Sequence, residues 1–146
     1  MRNRLMPSKQ RQQGFTLLEI MVVIVILGLL VAVVAPNVLQ NQDKAMVQKA
    51  QADVAILEQA LDMYKLDNFV YPTTEQGLEA LVSKPQSAPE PKRYNSNGYI
   101  KRLPTDPWGN PYQYLQPGQN KPVDVYSLGA DGELGGEGLA ADIGNW

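Results

Sequence analysis

The side chains able to do chemistry in this chain are almost all carboxylates. Cysteine and histidine are both absent from the 146 residues, which removes the thiolate nucleophile, the disulfide staple, the imidazole base and the commonest transition-metal ligands. Oxygen acids remain, and two placements stand out. Asp131, Glu133, Glu137 and Asp142 fall in a twelve-residue, glycine-rich window without a basic residue, and hard oxygen ligands on a pliable backbone suit a calcium ion. Glu19 is the one charge within residues 15–35. Inside an apolar span a carboxylate costs roughly 2–3 kcal/mol at the centre and less near the ends, so it calls for a cationic partner.

The elements that must position these acids differ sharply along the chain. Residues 20–35 are all apolar or glycine, and a 21-residue helix from Phe15 spans about 30 Å, one hydrocarbon core. Arg2, Arg4, Lys9 and Arg11 precede this span, and the next basic residue is Lys44. That bias keeps the first segment cytoplasmic and places the residues after Pro36 on the periplasmic side. An ordinary secretory signal fits poorly, because its apolar core is shorter and Ala35 before Pro36 is a poor cut site. A plain anchor leaves Glu19 unexplained. Cleavage between Gly14 and Phe15 would create an α-ammonium at the depth of Glu19 on a neighbouring copy, neutralising both.

Pro36 is expected to bend the helix rather than end it. Beyond it Met46, Ala50, Val54, Leu57, Leu61 and Tyr64 recur at spacings of three and four, one face that buries against a small domain. Gln42, Lys49, Asp53, Glu58 and Asp62 lie opposite. They read either as a solvated surface or as partners, through Glu58 and Asp62, for the Lys101–Arg102 pair of another copy, each exposed pair contributing about 0.2–1 kcal/mol.

In the remainder, Thr73 and Gln76 make a capping box before a short helix containing Leu78 and Leu81. Residues 112–115 and 123–128 read as two strands of a hairpin, and Tyr99–Ile100 as a third short strand. Trp108 reads as a core plug and turn anchor. The nine basic against fifteen acidic residues beyond Gly14 offer no phosphate-neutralising surface, so nucleic acid is not an expected partner. The acidic window places Asp131, Glu133, Glu137 and Asp142 at positions 1, 3, 7 and 12, but glycine at position 5, aspartate at 12 and a preceding strand exclude an EF-hand. Composition alone leaves a calcium loop and a solvated acidic turn equally open.

Gly14-Phe15-Thr16-Leu17-Leu18-Glu19, with the apolar run and Pro36 after it, resembles the signal of type IV pilins and pseudopilins. The resemblance implies that a prepilin peptidase cuts after Gly14 and methylates Phe15, and that Glu19 selects register during assembly. Residues 60–68, Tyr71-Pro72-Thr73-Thr74, residues 76–81, Asp106-Pro107-Trp108-Gly109-Asn110 and residues 127–132 resemble, in order and spacing, the major pseudopilin family of type II secretion.

That resemblance implies an α+β, type IV pilin-like fold. A basic leader (residues 1–14) precedes a membrane and filament-core helix (15–35), an amphipathic helix (36–66) and a small periplasmic domain (67–146) with an acidic loop (128–146). A long helix packs on a small antiparallel sheet. The implied metal is structural Ca2+ held by the side chains of Asp131 and Asp142 and the carbonyls of Leu128 and Glu133, with the roles of Glu137 and Gly138 open. The implied function is non-enzymatic: a homopolymer anchored in the bacterial inner membrane, assembled by a platform and its ATPase with minor pseudopilins, that drives exoproteins outward. A pilin-like minor subunit for adhesion or DNA uptake, and a membrane-anchored periplasmic hydrolase, are the alternatives. The acidic surface disfavours the first, and the missing histidine, cysteine and nucleophile elbow disfavour the second.

Overall fold

The computed structural model describes residues 14–146, without the side chains of residues 37 and 38. The expected leader, with its four basic residues, lies outside the described residues except for Gly14. One helix, α1, spans Leu17–Asn68. Thr16 caps its start: the Glu19 N–H donates to Thr16 Oγ1 at 3.2 Å, and the Glu19 carboxylate in the first turn complements the positive end of the helix dipole. Pro36 lies inside α1, so the proline does not terminate the helix. At the far end Asn68 Nδ2 donates to the Tyr64 carbonyl at 3.0 Å. Phe69 then turns into the left-handed region at φ 66, its N–H reaching the Lys65 carbonyl at 2.7 Å.

The chain divides into two compact units between Gln40 and Asn41. The amphipathic part of α1 from Asn41 onward falls in the same unit as the small domain. In the first unit α1 is apolar enough to cross a membrane, with a mean hydropathy of 3.2 over an 18-residue window, none of it buried within the chain.

In the second unit the helix face anticipated from spacing is the one that packs. Ala50, Val54, Leu57, Leu61 and Tyr64 are buried, and Ala60 joins them. Their partners are Leu78 and Leu81 from the short helical segment, Tyr114 and Val125 from the sheet, and Tyr112 and Val123, which directly precede its first two strands. Tyr64, Tyr94 and Tyr99 add a cluster of tilted and edge-on rings at 5.3–6.2 Å.

The sheet has three antiparallel strands in the order β1 (Gln113–Leu115), β2 (Asp124–Ser127) and β3 (Ile143–Gly144). Tyr114 faces Val125, and Ser127 faces Ile143. The hairpin is the anticipated one; the third strand is not. Tyr99 and Ile100 form no strand, because both N–H groups turn to the Leu81 carbonyl, at 2.7 and 3.1 Å. The capping box forms reciprocally, Thr73 N–H to Gln76 Oε1 and Gln76 N–H to Thr73 Oγ1, both at 3.1 Å, but it caps a turn leading into a tight 3-10 helix, Leu78–Leu81.

Trp108 is only half-buried and outside the core cluster. The anchor of its turn is Asp106, which is buried. Asp106 Oδ1 accepts the N–H groups of Trp108 and Asn110 at 3.1 and 2.7 Å, while Oδ2 accepts the Ser127 hydroxyl at 2.6 Å.

Candidate functional site

The acidic glycine-rich segment connects β2 to β3, and this topology gives it closed ends. Leu128 comes directly after Ser127 and Asp142 directly before Ile143, and Ser127 and Ile143 are paired across the sheet. Two of the expected ligands therefore flank one closing pair, separated by about the width of two neighbouring strands. Inside the loop the Ala130 N–H reaches the Leu139 carbonyl at 2.8 Å. Gly129 sits at φ 68, and a Cβ there would come within 2.8 Å of the Ala140 and Ala141 backbone, so only glycine lets the two sides approach.

The carboxylates differ in their satisfaction. Asp131 Oδ1 accepts the Glu133 N–H at 3.1 Å in a local turn, and Glu133 and Glu137 point into solvent. Asp142 Oδ2 accepts the Gly135 N–H at 3.0 Å. Its other oxygen, Oδ1, is shut off from solvent with no hydrogen-bond partner among the described residues. An ionised oxygen in that position costs more than the 1–3 kcal/mol of a neutral orphan unless a cation or donor meets it. No cluster of three or more acidic side chains converges among the described residues. The acidic side chains of the loop therefore form no carboxylate cage among the described residues, and a cation held here would need main-chain oxygens as well.

The N-terminal candidates lie at the start of α1. Phe15 is exposed and Glu19 stands one helical turn further on, in the first turn, also exposed.

The four residues read as charged contacts divide. Glu58 is engaged within the chain: Lys121 Nζ lies 2.9 Å from its Oε1 and Asn145 Nδ2 donates to the same oxygen at 3.0 Å. Burial pushes its carboxyl up, but these two donors and the lysine charge outweigh it and hold the group below its ordinary value. Asp62 accepts the Tyr71 hydroxyl at 2.8 Å, and burial together with that carboxylate pushes the Tyr71 phenol up to about 12. Lys101 and Arg102 remain exposed. Asp53, grouped with these acids as surface, also turns inward to Lys49 at 2.6 Å and to the Tyr112 hydroxyl at 2.9 Å.

One site escaped the reading of the sequence. Asp124 is buried and gathers the hairpin loop through the N–H groups of Gln119, Asn120 and Lys121 at 2.7–3.0 Å. Burial raises its carboxyl, yet the ring of backbone donors prevails and holds it below its ordinary value. The signal available was a polar Gln-Asn-Lys turn closing onto an aspartate, the pattern of a side chain capping its own loop.

Comparison with known proteins agrees across the chain. Residues 37–146 match the family described as type II secretion system (T2SS), protein G, and residues 9–35 match the prokaryotic N-terminal methylation motif. The type II secretion system core protein G of Vibrio cholerae serotype O1 is 64% identical over 97% of this chain and 96% of its own length. That of Pseudomonas aeruginosa is 61% identical over 95% and 98%. The crystal structure of the major pseudopilin from the type 2 secretion system of enterohaemorrhagic Escherichia coli superposes with a TM-score of 0.67 at 57% identity, covering 73% of this chain and 87% of that one.

Proposed function

This chain belongs to the type II secretion system protein G family, and on that premise we propose that, as the major pseudopilin, it is cut before Phe15 and polymerises through the helix that begins there. The observation that carries the reading is the exposed apolar first part of α1, with Glu19, the single acid of residues 15–35, one turn from Phe15. After cleavage the α-ammonium of Phe15 on one copy meets Glu19 on the next, which neutralises two charges in an apolar setting and selects register. The work is assembly rather than catalysis.

The family assembles with other components of the secretion system. For this chain these are the prepilin peptidase, minor pseudopilins, the inner-membrane platform with its ATPase, and exported proteins. Before assembly the subunit sits in the inner membrane with its basic segment cytoplasmic and its small domain periplasmic, supported by the absence of basic residues between Arg11 and Lys44.

The residues of the β2–β3 loop fit a calcium ion, on the strength of the orphaned Asp142 Oδ1. Asp131 and Asp142 side chains with the Leu128 and Glu133 carbonyls would hold it. Bound there, the ion neutralises the acidic loop and adds its binding free energy to the stability of a disulfide-free domain.

The test is Glu19→Ala in the full chain. The small domain keeps its melting transition while sedimentable polymer is lost; polymer at parental levels refutes the role of Glu19.

A further inference from the structure

Beside the sheet lies a cleft of about 500 Å³, a size within the range of small-molecule sites, that assembly through α1 leaves unused. Its aromatic side is a pair of rings, Trp146 and Tyr126, with centroids 5.6 Å apart and planes at 56°. A Cβ at Gly144 would fall on the Trp146 ring, so glycine at that place in β3 is what lets the indole lie against the strand. Trp146 still leaves 53% of its surface in solvent, which gives a flat apolar face, seated on one side and open on the other. Leu134, from the β2–β3 loop, adds an exposed apolar contact to the same cleft.

The polar groups of the cleft are a second, independent observation. Tyr126 is only 9% exposed, and its hydroxyl has no hydrogen-bond partner among the described residues although it is not shut off from solvent. Burial, with the charges of Asp142 and Asp124 close by, pushes this phenol up, so it stays a donor. The Gln119 side-chain amide is likewise without a partner among the described residues. Asn120 Nδ2 donates to Asp124 Oδ2 at 3.3 Å, which orients that amide and leaves its oxygen to accept. The two carboxylates offer no bare charge. Both Asp124 oxygens accept N–H groups of the hairpin loop, Asp142 Oδ2 accepts the Gly135 N–H, and Asp142 Oδ1 is shut off from solvent. No lysine or arginine lines the cleft.

We propose that this cleft binds a neutral saccharide, with one pyranose face stacked on Trp146 and the sugar hydroxyls met by Tyr126, Gln119 and Asn120. The lining excludes the other ligand classes. An anion finds no base, and a cation finds no free carboxylate. A wholly apolar ligand would strip water from the Tyr126 hydroxyl and the two amides without replacing it. A sugar satisfies both halves of the wall: its C–H face is apolar, and each of its hydroxyls both donates and accepts, which suits a phenol donor beside amide groups. Binding here needs neither polymer nor metal, so it stands or falls apart from the assembly reading.

The test uses the full chain in a polyoxyethylene detergent, which carries neither sugar nor cation, with cellobiose, cellohexaose and tetramethylammonium as probes in saturation-transfer NMR. Saturation should pass to the ring C–H protons of both sugars and not to tetramethylammonium. Tighter binding of the hexasaccharide assigns the cleft to a glycan chain, and equal binding assigns it to a free sugar. Trp146→Ala should lower affinity at least tenfold, while Trp146→Phe, which keeps a stacking face, stays within about threefold of the parent. Tyr126→Phe should weaken binding about fivefold with an unchanged melting transition, because that hydroxyl has no partner within the chain. Absence of transfer to either sugar overturns the proposal, as does parental affinity in Trp146→Ala or transfer to tetramethylammonium alone. Should Trp146→Ala fail to fold, Tyr126→Phe decides, and parental affinity there overturns the proposal.

Discussion

Asn145 holds Glu58 across 87 residues of sequence: its Nδ2 donates to Glu58 Oε1 at 3.0 Å and to the Val123 carbonyl at 3.1 Å. Its Oδ1 accepts the Val125 N–H at 3.1 Å, and its own N–H donates to the Val125 carbonyl at the same distance. One side chain thus ties β2, the segment after β3 and the face of α1 together, and it does so three residues beyond the proposed metal ligand Asp142. Asn145→Ala is expected to destabilise the domain by about 2 kcal/mol, since it leaves half-buried polar groups unpaired. Thermal melting checks this, and a change within experimental error would show that the link is idle.

Asp124 sets an acid sensitivity. The folded chain holds its carboxyl below the ordinary 3.8, so as pH falls the unfolded chain takes up the proton first. The stability this group contributes is complete above about pH 4 and is lost as pH drops through the folded value. Glu58, held below 4.5, adds in the same direction. Asp124→Asn should flatten the fall in melting temperature below about pH 4, and a curve parallel to the parent would contradict the role given to the loop donors.

Leu57 is fully buried between the helix and the sheet. Leu57→Ala is expected to cost about 2–5 kcal/mol, whereas the same truncation at exposed Leu66 costs less than about 0.5 kcal/mol. Denaturant unfolding of the two variants side by side gives the difference.

Phe69→Gly relieves a left-handed residue of its side chain. It should raise domain stability by about 1 kcal/mol. Thermal melting checks this, and a melting temperature at or below the parent's would contradict the strain placed at residue 69.

Chelation probes the loop. With EGTA the melting temperature of the domain should fall by several degrees, and Asp142→Ala should melt at that lower value with or without calcium. Insensitivity of the parent to EGTA would remove calcium from the account and leave Asp142 Oδ1 an unexplained orphan.

The helix and its buried face were legible in sequence because burial repeats with the helical period, from Ala50 through Tyr64. The hairpin was legible because two β-prone runs flank a turn. The features that stayed hidden depend on contacts between distant residues. β3 is only Ile143–Gly144, too short for any alternation to register, and exists because Tyr126 and Ser127 offer a free edge. Glu58 resembled a surface acid because nothing near it in sequence announces Lys121 or Asn145. Asp106 stood in a turn motif and Asp124 at the start of a β-prone run, and neither position announces a buried carboxylate, because the burial comes from how the neighbouring turns fold back onto the sheet. The acidic window suggested a cation, yet only the strand pairing brings Leu128 and Asp142 to the two ends of one closed loop.

The central claim is a subunit made for polymerisation by cleavage before Phe15, and intact-mass and N-terminal peptide spectrometry of the membrane-extracted protein test it most directly. The account predicts a chain that begins with N-methylated Phe15. A membrane-embedded chain still beginning at Met1, or one cut after Ala35, would contradict it.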